Sequence, residues 1–330
     1  QTEESAPLHV SALIAQGRRV LAIAAIDYLA MHLKRTLSLC LFTLAGLPLA
    51  GATVKPESVG LSEERLSRIH ATMQSHIDSH DISGAVTLVA RKGQIAWFHA
   101  QGLMNTEAKK PMQKDAFFRA FSMSKPVCGV AILMLLEEGK VRLNDPVSKF
   151  IPEFKSSKVA VVQDRPVNAP ASDPPKYYTI PAAREITIQD LLTHVSGLAS
   201  GGRASSHELT GLIDMVGGRT LADMMPKFAA APLDFQPGSR WTYSPLAGFD
   251  TLGRVVEIAS GMTFDQFLRQ RIFTPLGMKT TSFHPGDDLW SSVVTAYHRA
   301  DGTLKKRRPR TACRARRTSL APAVSSPRLK

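Results

Sequence analysis

Residues 116–121, a short apolar and aromatic run, lead straight into Ser122-Met123-Ser124-Lys125, and an apolar helical pattern follows without a break. That order restricts the chain to folds in which an extended segment hands over to a buried helix, with Ser122 and Lys125 at the junction. Val127, Val130, Ala131, Met134 and Leu135 recur at helical spacing, which predicts one face packed against a core. Side chains three apart on a helix are neighbours. An ammonium beside a hydroxyl in a poorly hydrated site lowers the hydroxyl's pKa or, once neutral, takes its proton. The positive end of a helix adds to the effect. Ser122 is therefore read as a candidate nucleophile and Lys125 as the group that activates it. The alternative, with Ser122 a plain N-cap and Lys125 a solvated first-turn lysine, leaves the apolar segments around them unexplained.

Three further blocks accompany Phe-Ser-Met-Ser-Lys-Pro-Val at 121–127. They are Leu-Glu-Glu-Gly-Lys-Val-Arg-Leu-Asn-Asp-Pro-Val at 136–147, Ile-Thr-Ile-Gln-Asp-Leu-Leu-Thr-His-Val-Ser-Gly-Leu at 186–198 and Phe-Gln-Pro-Gly-Ser-Arg-Trp-Thr-Tyr-Ser at 235–244. In this order they resemble the serine beta-lactamase and penicillin-binding-protein superfamily, most closely its class C-like branch and, within it, the family VIII carboxylesterases. The resemblance runs from Glu57 to about Gly302. It implies an α+β fold of the beta-lactamase/transpeptidase type, with an antiparallel sheet flanked by helices and a mostly helical lobe. It also implies that Tyr243 is the tyrosine facing the nucleophile, the general base that takes the Ser122 proton and returns it to the leaving group. A phenol titrates near pH 10 unless a neighbouring ammonium favours its phenolate. Lys125 would tune both groups, and no cofactor is called for.

Two departures from the family pattern shape the expectation. Where beta-lactamases and peptidases read Tyr-x-Asn, Tyr243 is followed by Ser244 and Pro245, and proline has no amide side chain to hold an acylamino group. This favours esters over beta-lactams. The third family box, Lys-Thr-Gly or its His-x-Gly and Trp-x-Gly variants, has no good match. Lys279-Thr280-Thr281 lacks the glycine, and His284-Pro285-Gly286 puts a proline where a central strand is needed. Both are read as chance matches, so the C-terminal part of the fold is expected to be missing.

The family-like text stops after Gly302, and from Lys305 onward there are ten Lys or Arg and no Asp or Glu. Those ten account for most of the formal net charge of +13. Low hydrophobicity with high charge leaves nothing to bury, so residues 303–330 are expected to be a basic disordered tail, read as an out-of-frame or truncated end. Lys-Lys-Arg-Arg-Pro-Arg at 305–310 has the charge to meet nucleic acid, but no aromatic residue interleaves with it, and no nucleic-acid partner is expected.

At the other end, Met31-His32-Leu33-Lys34-Arg35, an apolar run over 37–49 and Ala50-Gly51-Ala52 make the three parts of a secretory signal. Residues 1–30 are then an upstream extension, 31–52 a signal peptide cleaved after Ala52, and 53–302 a single, incomplete hydrolase domain. The destination is periplasmic or secreted, in a bacterium, with no integral membrane span after cleavage. Cys128 is the one cysteine of the body and is expected to be a buried packing residue.

Inside the body, Ser62 should cap a helix carrying Glu63 and Glu64 in its first turn and Leu66, Ile69, Met73 and Ile77 on one face. Strands over 84–90 and 95–100 flank Arg91-Lys92-Gly93-Gln94. Residues 155–184, rich in proline, are expected to wander irregularly over the surface. His76 and His80 are spaced for zinc, but Ile77 stands where a zincin needs Glu, so surface histidines are the better reading. His194-Val195-Ser196-Gly197 has the end of a hydrolase elbow without its first glycine, so it is read as a helix C-terminus closed near Gly197.

The expected protein is a secreted serine hydrolase that forms an acyl-enzyme on Ser122 with short-chain carboxylic esters, its partner a small ester or amide. One alternative is a D-Ala-D-Ala carboxypeptidase or a weak class C-like beta-lactamase. Another, of a different class, is a catalytically inactive fragment or a cell-wall-binding protein.

Overall fold

Ser62 opens the first helix, α1 (Glu63–Asp78), its side chain accepting from the Arg65 N–H. Leu66 and Ile69 turn inward from this helix onto Ala96 and Trp97. Those two belong to β2 (Gln94–Asn105), which pairs antiparallel with β1 (Gly84–Arg91) through a turn whose Lys92 and Gly93 both have positive φ. β2 runs five residues beyond its expected end and adds β3 (Lys110–Pro111) on its other edge. The computed structural model describes residues 53–163, 175–209, 220–283, 289, 292–307 and 323–325, all of them in one unit spanning Thr53–Leu329. The expected extension at 1–30 and signal at 31–52 lie outside the described residues.

β4 (Phe117–Arg119) delivers the chain to a 3₁₀ turn at Phe121–Met123 and then to α2 (Ser124–Glu137). The buried face of α2 is corrected: Cys128, Ala131, Ile132 and Leu135 are fully enclosed, while Val130 is 47% exposed. A helix apolar on nearly every side has too little contrast for periodicity to pick the buried stripe.

The helical lobe closes around α2 with α3 (Ile188–Leu192), α4 (Arg203–Glu208), α5 (Leu221–Ala230), α6 (Ala247–Ser260) and α7 (Phe264–Leu268). Ile132 and Leu135 of α2 share one core with Leu191, Phe228, Leu252, Val255 and Phe267. Each such side chain stabilises the fold by about 1.5–3 kcal/mol when fully buried. That packing fixes α2, and with it Lys125, against α6.

The expectation of an irregular 155–184 is corrected on both sides of 164–174, which lie outside the described residues. β5 (Lys158–Val162) and β6 (Tyr177–Pro181) form a five-pair antiparallel ribbon. Val159, Val161, Val162, Tyr177, Tyr178 and Ile180 suit a pleated surface, and this preference outweighs the prolines that lie mostly between the strands.

Late in the chain come β7 (Thr281–Ser282), β8 (Tyr297–Ala300), β9 (Thr303–Lys306) and β10 (Ala323–Ser325). β8 and β9 are a hairpin closed by Asp301 and Gly302, both at positive φ, as a two-residue turn requires. The boundary expected at 302 therefore falls inside a turn, and residues 303–306 are strand rather than disordered tail. The hairpin is anchored to the body, since the Tyr297 hydroxyl accepts from the Thr106 N–H at 2.9 Å and donates to Glu107 at 2.7 Å. β10, free of charged residues, lies between β4 and β7. Among the described residues the strands make four small antiparallel sheets, β1-β2-β3, β4-β10-β7, β5-β6 and β8-β9, where one antiparallel sheet was expected. No helix among them is long and apolar enough to cross a membrane.

Candidate active site

Ser122 sits in the middle of the 3₁₀ turn, two residues before α2 rather than at its first position. Phe121 just before it has φ +44°, a left-handed conformation that costs a residue with a side chain about 1–3 kcal/mol and survives only where the surroundings impose it. Here Ser124 imposes it in part, its Oγ donating to the Phe121 carbonyl at 2.5 Å. The turn leaves Ser122 exposed and Lys125, one turn on, buried.

From that buried position Lys125 Nζ donates to Ser122 Oγ at 3.2 Å and to the Pro245 carbonyl at 2.8 Å. It also lies 5.0 Å from the centroid of the Tyr243 ring and 5.7 Å from that of Phe249, so two aromatic faces help to hold the cation. The Tyr243 phenol oxygen is 2.6 Å from Ser122 Oγ. All three residues singled out in the sequence, Ser122, Lys125 and Tyr243, thus meet at one point. Partial burial pushes the Tyr243 phenol up, but hydrogen bonding from Lys125 and Ser122 and the Lys125 charge outweigh it and hold the phenol below its ordinary range. A proton is therefore easier to remove from Tyr243 than from a free tyrosine, and the resulting phenolate points at Ser122.

Tyr243 has no such local support, and its loop is tied to the segment after α3. Gly238 N–H donates to the Val195 carbonyl at 2.8 Å, Asp234 N–H to Gly197 at 2.8 Å, and Thr242 N–H to His194 at 3.1 Å. Gly197 must be glycine: its φ is +74°, and a Cβ there would lie 2.4 Å from the Phe235 carbonyl oxygen. Beneath the Pro237-Gly238 turn, Arg184 grips the buried Asp190 with two hydrogen bonds of 2.5 and 2.9 Å. Burial alone would raise the Asp190 carboxyl, yet the bonds from Arg184 and Thr187 win and hold it below the usual range. Ser244 fixes the far side of the tyrosine, its buried Oγ accepting from Gly248 N–H in the first turn of α6.

Two contributors to the site were not visible in the sequence. The Pro245 carbonyl is a backbone atom with no residue signature. His194, set aside as the end of a failed elbow, lies under Tyr243 and accepts from Ser244 N–H. Its neighbour Ser196 is a buried turn serine whose Oγ accepts from Leu198 N–H. The other candidates sit apart: His76 pairs with Asp81 at 3.0 Å, and Cys128 is buried, its thiol pushed up by that burial and by Asp250. Lys279 and Thr280 form a turn leading into β7. His284-Pro285-Gly286 lies outside the described residues.

The beta-lactamase family profile matches residues 69–325. Esterase EstB of Burkholderia gladioli is 34% identical over 241 residues, covering 71% of this chain and 56% of its own length. Lovastatin esterase of Penicillium rubens is 33% identical over 235 residues, covering 68% and 55%. Among solved structures, EstCE1, described as a hydrolase with promiscuous acyltransferase activity, superposes with a TM-score of 0.59 at 30% identity, covering 74% of this chain and 59% of that one. The chain thus spans about half the length of the curated relatives it matches.

Proposed function

The chain belongs to the beta-lactamase family, and on that premise we propose that it is a secreted serine hydrolase that cleaves short-chain carboxylic esters through an acyl-enzyme on Ser122. The observation that carries the proposal is the 2.6 Å approach of the Tyr243 oxygen to Ser122 Oγ, with Lys125 bonded to the same serine. Tyr243, as phenolate, takes the Ser122 proton while Oγ attacks the ester carbonyl carbon, and the Ser122 N–H donates to the oxyanion. Collapse of the tetrahedral adduct expels the alcohol, which receives the proton from Tyr243. Water then attacks the acyl carbon, Tyr243 takes its proton, and Ser122 leaves with that proton restored to Oγ. Lys125, bonded to Ser122 and set over the Tyr243 ring, supports the phenolate.

Ester preference is supported at Pro245. It stands where a peptidase or beta-lactamase carries an amide side chain, and its carbonyl is committed to Lys125. Phe121, Met123 and Trp241, exposed by 51%, 77% and 64%, present apolar surface on the segments that carry Ser122 and Tyr243. Short-chain p-nitrophenyl esters are expected to be hydrolysed faster than nitrocefin, with Tyr243→Phe lowering the ester rate about a hundredfold or more. Equal or better turnover of nitrocefin would remove the ester preference; an unaffected Tyr243→Phe variant would remove the base.

A further inference from the structure

His194 is the second residue past the end of α3, directly after its C-cap Thr193. Its φ is +60°, in the left-handed region, which histidine, like Asn and Asp, enters more readily than most residues with a side chain. The conformation turns the ring back under the tyrosine loop. The ring centroid is 4.7 Å from that of Tyr243, 5.3 Å from Phe249 and 6.3 Å from Trp241. Its Nδ1 lies 3.1 Å from the backbone nitrogen of Ser244, the residue next to Tyr243, while its own carbonyl accepts from Thr242 N–H on the other side. One residue thus accepts hydrogen bonds from both backbone neighbours of Tyr243.

We propose that His194 is the positioning residue for Tyr243: a neutral imidazole whose bare Nδ1 accepts the Ser244 N–H and so holds the phenol oxygen on Ser122. The inference rests on the reading of Tyr243 as the base. A backbone N–H only donates, so the bond exists only while Nδ1 carries no proton, which fixes the tautomer as Nε2–H. The charged and titratable groups facing the ring are Lys125 from α2 and Tyr243 from the loop; Trp241 and Phe249 are the uncharged neighbours. Burial, and then the Lys125 charge, hold the imidazole below its ordinary range, so the neutral form is kept at neutral pH. Protonation would turn the acceptor into a donor aimed at another donor and release the loop.

The test uses the 330-residue chain and two readouts. Nitrogen-15 NMR of labelled histidine should show His194 as the Nε2–H tautomer at neutral pH. The rate at which a fluorophosphonate labels Ser122 should fall about a hundredfold in His194→Phe, the expected penalty for a displaced catalytic group. His194→Asn keeps an acceptor at the δ position and tolerates positive φ, so it should stay within about fivefold of the wild type. It should also lose an acid limb that the wild type shows below the ordinary imidazole range near pH 6.5. A proton on Nδ1 at neutral pH overturns the proposal, as does wild-type labelling of His194→Phe where Tyr243→Phe is slowed. Wild-type labelling of Tyr243→Phe removes the base itself, a distinct failure that takes the role of His194 with it. If His194→Phe does not fold, the tautomer and the pH profile of His194→Asn decide.

Discussion

The backbone that carries Ser122 and Lys125 is shaped by its neighbours in sequence, whereas the loop that carries Tyr243 is tied to residues some fifty positions upstream. The serine half is one strand, one tight turn and one helix, and its helix is locked into the main core by Cys128, Ala131, Ile132 and Leu135. The tyrosine half is a loop, and what fixes it is a set of backbone bonds to 194–197, one close glycine and one ion pair between the exposed Arg184 and the buried Asp190. The chemistry needs both halves, but their rigidity has different sources. A change in the serine half is expected to remove function with little loss of stability. A change under the tyrosine half is expected to loosen the loop first and affect chemistry through it.

The largest effect should come from the cation that ties Ser122, the Pro245 carbonyl and the Tyr243 ring together. Lys125→Met removes the cation from Ser122, Pro245 and the Tyr243 ring together, and Ser122 labelling is expected to fall about a thousandfold or more, as for residues that act as a unit. Retention of a tenth of the wild-type rate would mean that Lys125 is a structural cation only. Gly197→Ala comes next. It asks for a Cβ 2.4 Å from a carbonyl oxygen at φ +74°, and a stability loss of about 2 kcal/mol or more is expected from denaturant unfolding, with slower labelling alongside. A neutral outcome would show that the close approach to Phe235 is not needed to hold the loop.

Asp190→Asn is the mildest of the three and carries a pH signature. Loss of the charged bonds to Arg184 is expected to cost about 2 kcal/mol near pH 7. The folded carboxyl titrates below its unfolded value of about 3.9, so its contribution is present above that pH and lost as pH falls through the lower folded value. The variant and the wild type should therefore converge in acid. A difference that persists unchanged at the lowest pH would assign the effect to packing instead of charge.

The same contrast explains what the sequence made legible. The strand-turn-helix around Ser122, the α1 cap at Ser62 and the first hairpin are local, and local rules find them. Tyr243 was reached through a motif, since nothing in its own neighbourhood says what it faces. His194 stayed invisible because its role depends on a positive φ and on a backbone N–H fifty residues away. Val130 was misplaced because an all-apolar helix has no polar face to mark its outside. The β8-β9 hairpin was missed for a plainer reason: Asp301-Gly302 is a strong turn signal, and the run of basic residues after it drew the boundary through the turn.

One measurement bears on the whole assignment. After reaction of the chain with a fluorophosphonate probe, peptide mapping by mass spectrometry is expected to place a single added mass on the peptide containing Ser122, and Ser122→Ala is expected to lose it. An adduct on another peptide, or labelling that survives Ser122→Ala unchanged, would contradict the assignment of Ser122 as the nucleophile.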